Sequence, residues 1–441
     1  MVKIIKPQNF EERLIWYLTI GTYAFYLLGI LLPVTSFMAW LLFLYLCKKL
    51  WYQQENTTVE ERVTIPWILW LWFICMPVMM ITQIVAFTEL GMVRNDYIRG
   101  IISWFMGWAL LALFPLIGCL NIRPQLVYRA ICILCLQTLI ILPICYLAYL
   151  IHLPDPIYSS PIERIFQNGK LYYNVSLYSY TAYNQELRFA LFTPWAPALG
   201  IVGNLFFCCV LQETDKKWRW IGIAGSIAMC VVSTSRLAFL VLPGVSLIVW
   251  ILTNFWRPTV QILGGFISFA SGIFSSALLR IATDFKDAIL GARSESTLVR
   301  KRLIEIAFER SKEAPIWGHG TQEPGPKVVE HMPIGSHTTW GGVMFMNGMV
   351  GFIALLIPMI CTFTALLIKA QKNRTAKVGL KAFLVLAFFS SGESIDALSY
   401  VCWSGWMIIG MALRNESIDY ILDIKNIKKC NILSNSVLDK Q

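Results

Sequence analysis

The chain has 441 residues, of which 57% are hydrophobic and 14% charged, with a mean hydropathy of +0.60. It holds more apolar surface than one soluble core can bury, which excludes an ordinary globular domain and makes lipid the solvent for most of it. A net charge of +11 would suit a nucleic acid, but the basic residues sort by side of a bilayer, so membrane topology explains them and no nucleic-acid partner is expected.

Apolar runs near the roughly 20 residues that cross a bilayer recur along the chain. Six lie near Leu14 to Leu31, Pro33 to Cys47, Ile65 to Phe87, Ile98 to Leu120, Leu126 to Ile151 and Phe189 to Leu211. Six more lie near Trp218 to Ser235, Leu237 to Phe255, Val260 to Ile281, Trp340 to Ile368, Gly379 to Ser390 and Ala397 to Leu413. The second and eleventh are short. The reading is an all-α integral membrane protein of about twelve transmembrane helices, with a membrane domain over residues 1–413 and a cytoplasmic tail over 414–441. Lys3, Lys6, Arg13, Lys48, Lys49, Arg123, Arg129, Lys216, Lys217, Arg257, Lys369 and Lys372 share one side, while the short connections opposite hold only Arg94, Arg99 and Arg236. The positive-inside rule then makes both termini cytoplasmic. The first run is long enough to stay as an anchor, so no cleaved signal is expected. The twelve cysteines fall in or beside apolar runs or, for Cys430, in the tail, which implies no disulfide framework. Cys132 and Cys135 read as small packing residues.

Two outer connections, His152 to Arg188 and Ala282 to Thr339, are too long to be turns, and function should concentrate in them. The first carries Tyr158, Tyr172, Tyr173, Tyr178, Tyr180 and Tyr183, which suit either a glycan cleft or an interfacial aromatic belt. In the second, capping residues at Ser294 to Thr297 and a stop at Pro315 predict a helix over Thr297 to Glu313, with Arg300, Ile304, Ala307 and Phe308 on its inward face. Gly318-His319-Gly320 reads as a flexible turn, and His337 stands where the chain re-enters the bilayer.

Arg236, Arg293, Arg300 and Arg302 share this outer boundary with His337. Guanidinium forks clamp phosphate, and a histidine takes a proton near neutral pH. At a lipid-water boundary the ligand that fits is a pyrophosphate on a lipid tail, whose leaving oxygens arginines would stabilise while the histidine deprotonates an attacking sugar hydroxyl. Glu393 and Asp396 could orient the histidine or bind sugar hydroxyls. The histidine spacing around Glu330 matches no standard zinc pattern, so no metal or other cofactor is implied.

Three features resemble the O-antigen polymerase and O-antigen ligase superfamily of bacterial membrane proteins. They are Ser233-Thr234-Ser235-Arg236 before an apolar span; Arg300, an amphipathic helix and Ala314-Pro315-Ile316-Trp317-Gly318-His319-Gly320; and His337 followed by Gly348-Met349-Val350-Gly351-Phe352. Thr338 stands where the family's histidine motif has Asn, Ser or Gln. The likeness covers about residues 233–352. It implies a metal-independent glycosyltransferase of the inner membrane, facing the periplasm or cell exterior, with His337 as base and Arg236 and Arg300 on the pyrophosphate; Arg293 and Arg302 join by proximity. The donor would be an undecaprenyl-pyrophosphate-linked glycan. Polymerisation of O-antigen, capsule or exopolysaccharide repeats is preferred over ligation to a lipid A core. A flippase or secondary transporter for such lipids is the competing class; charges at span ends rather than within them argue against it.

Overall fold

The structure, a computed structural model, describes residues 5–53, 62–166, 169–180, 187–277, 279–280, 283–284, 294–329 and 332–414. Its helices, in chain order, are α1 (Phe10–Ile20), α2 (Thr22–Leu27), α3 (Leu31–Trp51), α4 (Trp67–Glu89), α5 (Arg94–Met106), α6 (Trp108–Ile117), α7 (Pro124–Leu150) and the short α8 (Glu163–Phe166). They continue as α9 (Ala196–Val210), α10 (Lys216–Val232), α11 (Arg236–Asn254), α12 (Pro258–Ile273), α13 (Ser294–Arg310), α14 (Thr339–Ala370), α15 (Arg374–Phe389) and α16 (Trp403–Leu413). The only strands among the described residues form two antiparallel pairs in the first long loop: β1 (Tyr158–Ser159) with β2 (Asn174–Val175), and β3 (Ser179–Tyr180) with β4 (Leu187–Arg188).

Every expected apolar run is helical in part, but the lengths differ. Among the described residues, α3, α4, the joined α5 and α6, α7, α11 and α14 are long and apolar enough to cross a membrane, six segments in all. The run expected to be short, Pro33 to Cys47, grows to 21 residues, because Leu31 and Leu32 start it earlier and Lys48 and Lys49 extend it. The first run divides at Gly21, and the fourth breaks at Gly107, whose φ of −123° and ψ of −91° leave the helical region. The sixth begins only at Ala196, after Pro194, and the twelfth only at Trp403. Cap side chains fix several starts: Asn9 accepts from the N–H of Glu12, Asp215 from Lys217 and Trp218, and Asn373 from Thr375 and Ala376.

Small residues let the helices approach closely. A Cβ on Gly410 of α16 would lie 1.9 Å from the Pro115 carbonyl of α6. Cys132 and Cys135 pack against Gly222 and Gly225 of α10. At one end of the bundle Lys49 pairs with Glu11 at 2.6 Å, Arg123 with Glu12 at 2.7 Å and Arg129 with Glu213 at 2.9 Å, and Lys369 donates to the Leu413 carbonyl at 2.6 Å. The long loops meet at the other end, where Glu393 contacts both Trp195 and Arg300.

The second loop is tied to α14 by an exchange of backbone hydrogen bonds. Gly348 sits at φ 63° and ψ −162° inside α14 and interrupts its ladder. The carbonyls of Phe345 and Met346 accept instead from the N–H groups of His319 (2.9 Å) and Gly320 (2.8 Å), and the N–H groups of Met349 and Val350 donate to Pro315 (2.9 Å) and Ile316 (3.3 Å). The segment expected to be a flexible turn is thus pinned. That backbone conformation is essentially open to glycine alone, and a Cβ on Gly348 would lie 2.4 Å from the Ile316 carbonyl. Gly348→Ala is therefore expected to cost about 2 kcal/mol or more, whereas Gly244→Ala in α11, with open space around it, should be neutral. Thermal unfolding in detergent checks this; a Gly348→Ala protein as stable as wild type would contradict it.

Candidate active site

A cavity of about 670 Å³ opens where the loops meet. Its wall includes Arg236, Arg300, His337 and Glu393, residues far apart in sequence. Arg236 is the first residue of α11, two residues after Thr234, which is held at φ 49°. The start of that helix, with its free N–H groups, therefore lies at the cavity beside a guanidinium, an arrangement that favours anions. Arg300 comes from α13, which is pinned by the burial of Leu303 and Ala307 against Val329, Ile334 and Phe345. The inward face thus runs through Leu303 and Ala307. The expected Phe308 is 45% exposed, because the chain that covers the helix sits a third of a turn away. The helix also starts three residues earlier than predicted and ends at Arg310.

Glu393 organises one wall. Its Oε2 accepts from Trp195 Nε1 at 2.8 Å, and its Oε1 lies 3.7 Å from Arg300 Nη2. Burial pushes this carboxyl up, against the opposing pull of Arg300 and Trp195. Thr339 fastens the segment, accepting from the N–H of Ile395 at 3.0 Å and donating to the Glu393 carbonyl at 2.7 Å. His337 stands one residue before Thr338, whose hydroxyl caps α14 by accepting from the N–H of Gly341 at 3.1 Å. Burial first, and then the charge of Arg300, pull the imidazole down to about 4. The ring is therefore neutral at pH 7 and able to accept a proton.

Other candidates lie elsewhere. Arg302 is 54% exposed at its side chain and pairs with Glu305 at 2.9 Å, away from the cavity wall. His319 is buried, stacks on Phe345 with centroids 4.4 Å apart, and reaches Glu313 at 3.4 Å, so it packs the second loop. Asp396, half-buried beyond the wall, is pushed up to about 6 by burial. Arg293 and Tyr183 lie outside the described residues, as do Glu330 and His331. Of the remaining tyrosines in the first loop, only Tyr180 lines the cavity. Tyr173 is buried, Tyr178 donates to the Leu153 carbonyl at 2.5 Å, Tyr172 packs on Trp195 and Tyr400, and Tyr158 donates to the Leu27 carbonyl. They anchor the loop.

Two wall residues escaped the sequence reading. Arg188 closes β4 with a buried Nε that has no hydrogen-bond partner among the described residues. In sequence it was merely the cation bordering an apolar run. The other, Trp195, was not singled out in the sequence.

Because the folded His337 titrates near 4 and the unfolded one near 6.5, the unfolded chain binds a proton in that window that the folded chain refuses. Acidification from about 6.5 to 4 therefore costs stability, and the neutral ring persists down to about 4. Imidazole NMR should find the His337 midpoint near 4, and Arg300→Gln should raise it. A midpoint at 6.5 in the folded protein would refute the assignment.

Comparison with known proteins finds one family: residues 221–356 match the model described as O-antigen ligase. No curated protein matches the chain. The matched segment holds Arg236, Arg300, His337 and the Gly348 exchange. Over residues 221–356 the chain is thus similar to the O-antigen ligase family, and among its described residues six helical segments are long and apolar enough to cross a membrane.

Proposed function

We propose that this protein transfers a glycan from a polyprenyl pyrophosphate to a sugar hydroxyl. The observation that carries the reading is the convergence of Arg236, Arg300 and His337 on one cavity, with Arg188 added by the fold. Its volume falls within the roughly 300–1,000 Å³ usual for ligand sites. In this reading the arginines and the α11 N-terminus hold the pyrophosphate. His337 takes the proton of the acceptor hydroxyl as its oxygen bonds to the anomeric carbon. The bond from that carbon to the pyrophosphate breaks with its electron pair going to the leaving oxygen, where the guanidiniums meet the new charge. Asp155, Asn174, Ser179 and Tyr180, on the wall built by the first loop, offer polar and aromatic groups to sugar rings.

About twelve crossings, with both termini cytoplasmic, would set the cavity on the periplasmic or outer face of a bacterial inner membrane. Gathering of Lys49, Arg123, Arg129 and Lys369 at the opposite end of the bundle supports that orientation. Polymerisation of lipid-linked repeats is the reaction we favour, since two long loops build the cavity. Ligation to a lipid A core is the second reading, favoured by the description of the matched family.

The test uses purified protein in nanodiscs with a lipid-linked glycan donor. His337→Ala should lower kcat by about 10²- to 10⁴-fold with donor binding retained, and Arg300→Ala or Arg188→Ala should lower transfer by roughly 10²-fold or more. The acceptor consumed separates polymerase from ligase. A wild-type protein that releases no polyprenyl pyrophosphate yet moves lipid-linked glycan across the bilayer would make it a transporter.

A further inference from the structure

The sequence and the family likeness single out His337 but leave open which ring nitrogen does the work. Its neighbours decide this by counting protons. Ser336 Oγ lies 2.6 Å from the carbonyl oxygen of Pro333 and 2.5 Å from Nδ1 of His337. A carbonyl oxygen only accepts, and a serine hydroxyl has one proton to give. That proton must go to Pro333, or two acceptor oxygens would face each other at 2.6 Å with no hydrogen between them. The serine oxygen is then left with lone pairs only, so Nδ1 must carry the hydrogen that joins it to Ser336.

We propose that Ser336 is a positioning residue that holds His337 in the Nδ1–H tautomer, leaving Nε2 as the bare acceptor in the cavity. This rests on the reading of His337 as the base. The Ser336 backbone is itself fixed: its carbonyl accepts from Ser394 Oγ at 2.6 Å, next to Glu393, and the N–H of Ile334 donates to the Glu323 carbonyl at 2.8 Å. The turn from Pro333 to Ser336 therefore cannot rotate away without breaking contacts from two other segments. The same geometry serves the charged ring. Once Nε2 has taken the acceptor's proton, Nδ1–H still donates to Ser336, whose hydroxyl still donates to Pro333, so the positive charge lies at the head of an aligned chain of dipoles. No hydrogen-bond partner for Nε2 is found among the described residues, which fits a nitrogen kept for substrate.

The experiment reads the tautomer without turnover. Protein with isotope-labelled histidine in nanodiscs at pH 7 gives imidazole nitrogen and carbon shifts for its four histidines, and His337→Gln identifies the signal of interest. The expected result is a protonated Nδ1 and a bare Nε2 in wild type, a shift toward the Nε2–H form in Ser336→Ala, and the wild-type pattern in Ser336→Thr. In the transfer assay Ser336→Ala should lower kcat roughly tenfold, less than loss of the base itself, with KM unchanged, and Ser336→Thr should restore it. An Nε2–H ring in wild type, or a Ser336→Ala protein with tautomer or kcat unaltered, overturns the proposal. Full transfer by His337→Gln would instead overturn the choice of base, while the NMR result still decides the tautomer.

Discussion

The site depends on one exchange of backbone hydrogen bonds. Inside a bilayer a broken helix is costly, because freed N–H and C=O groups find no water. Here the break at Gly348 of α14 is filled by the segment from Pro315 to Gly320, which takes both orphan carbonyls and supplies both missing acceptors. That segment continues α13, which carries Arg300, while α14 begins one residue beyond Thr338 and so sets the place of His337. Main-chain bonding thus joins the segment that follows the helix of Arg300 to the helix that follows His337. Glycine is required on both sides of the junction, since Cβ atoms on Gly318 and Gly348 would each meet backbone within 2.5 Å.

Electrostatics builds on that frame. Arg188, Arg236 and Arg300 face one cavity with Asp155 and Glu393, and Glu393 is pushed up by burial even as Arg300 pulls it down. Placing cations near hydrocarbon is expensive unless each is paired, and among the described residues only Arg300 of the three has a carboxylate partner in the wall. The three guanidiniums outnumber the two carboxylates of the wall. Burial, and after it the charge of Arg300, lowers the pKa of the neighbouring His337 imidazole.

Much of this was legible in the sequence, for identifiable reasons. Apolar runs report helices because lipid permits little else, and Arg236, Arg300 and His337 stood out as charges at span boundaries. What escaped depended on partners. Arg188 could not be told from an ordinary flanking cation, since only the fold turns β4 toward the other loops. Arg302 was grouped with Arg300 by proximity, yet two positions along a helix point a side chain away from its neighbour. The inward face of α13 was read from its own periodicity as Arg300, Ile304, Ala307 and Phe308; Ala307 is indeed buried against Phe345, Val329 and Ile334, but Leu303 is buried beside it and Phe308 is exposed. The tyrosines suggested sugar, but most of them turned inward to hold their own loop. Gly348 and the Pro315 segment were visible as motifs, and nothing in either one announced that they bind each other.

The wall of the cavity closes late in the chain. Arg188, Trp195 and Arg236 are joined by Arg300 and His337, but the carboxylate that ties Trp195 to Arg300 is Glu393, which lies between α15 and α16. During synthesis from the amino terminus, a chain inserted only as far as α14 already holds its guanidiniums and imidazole, without the group that brings two of those segments together. The wall of the cavity is therefore complete only when the last pair of helices is in place.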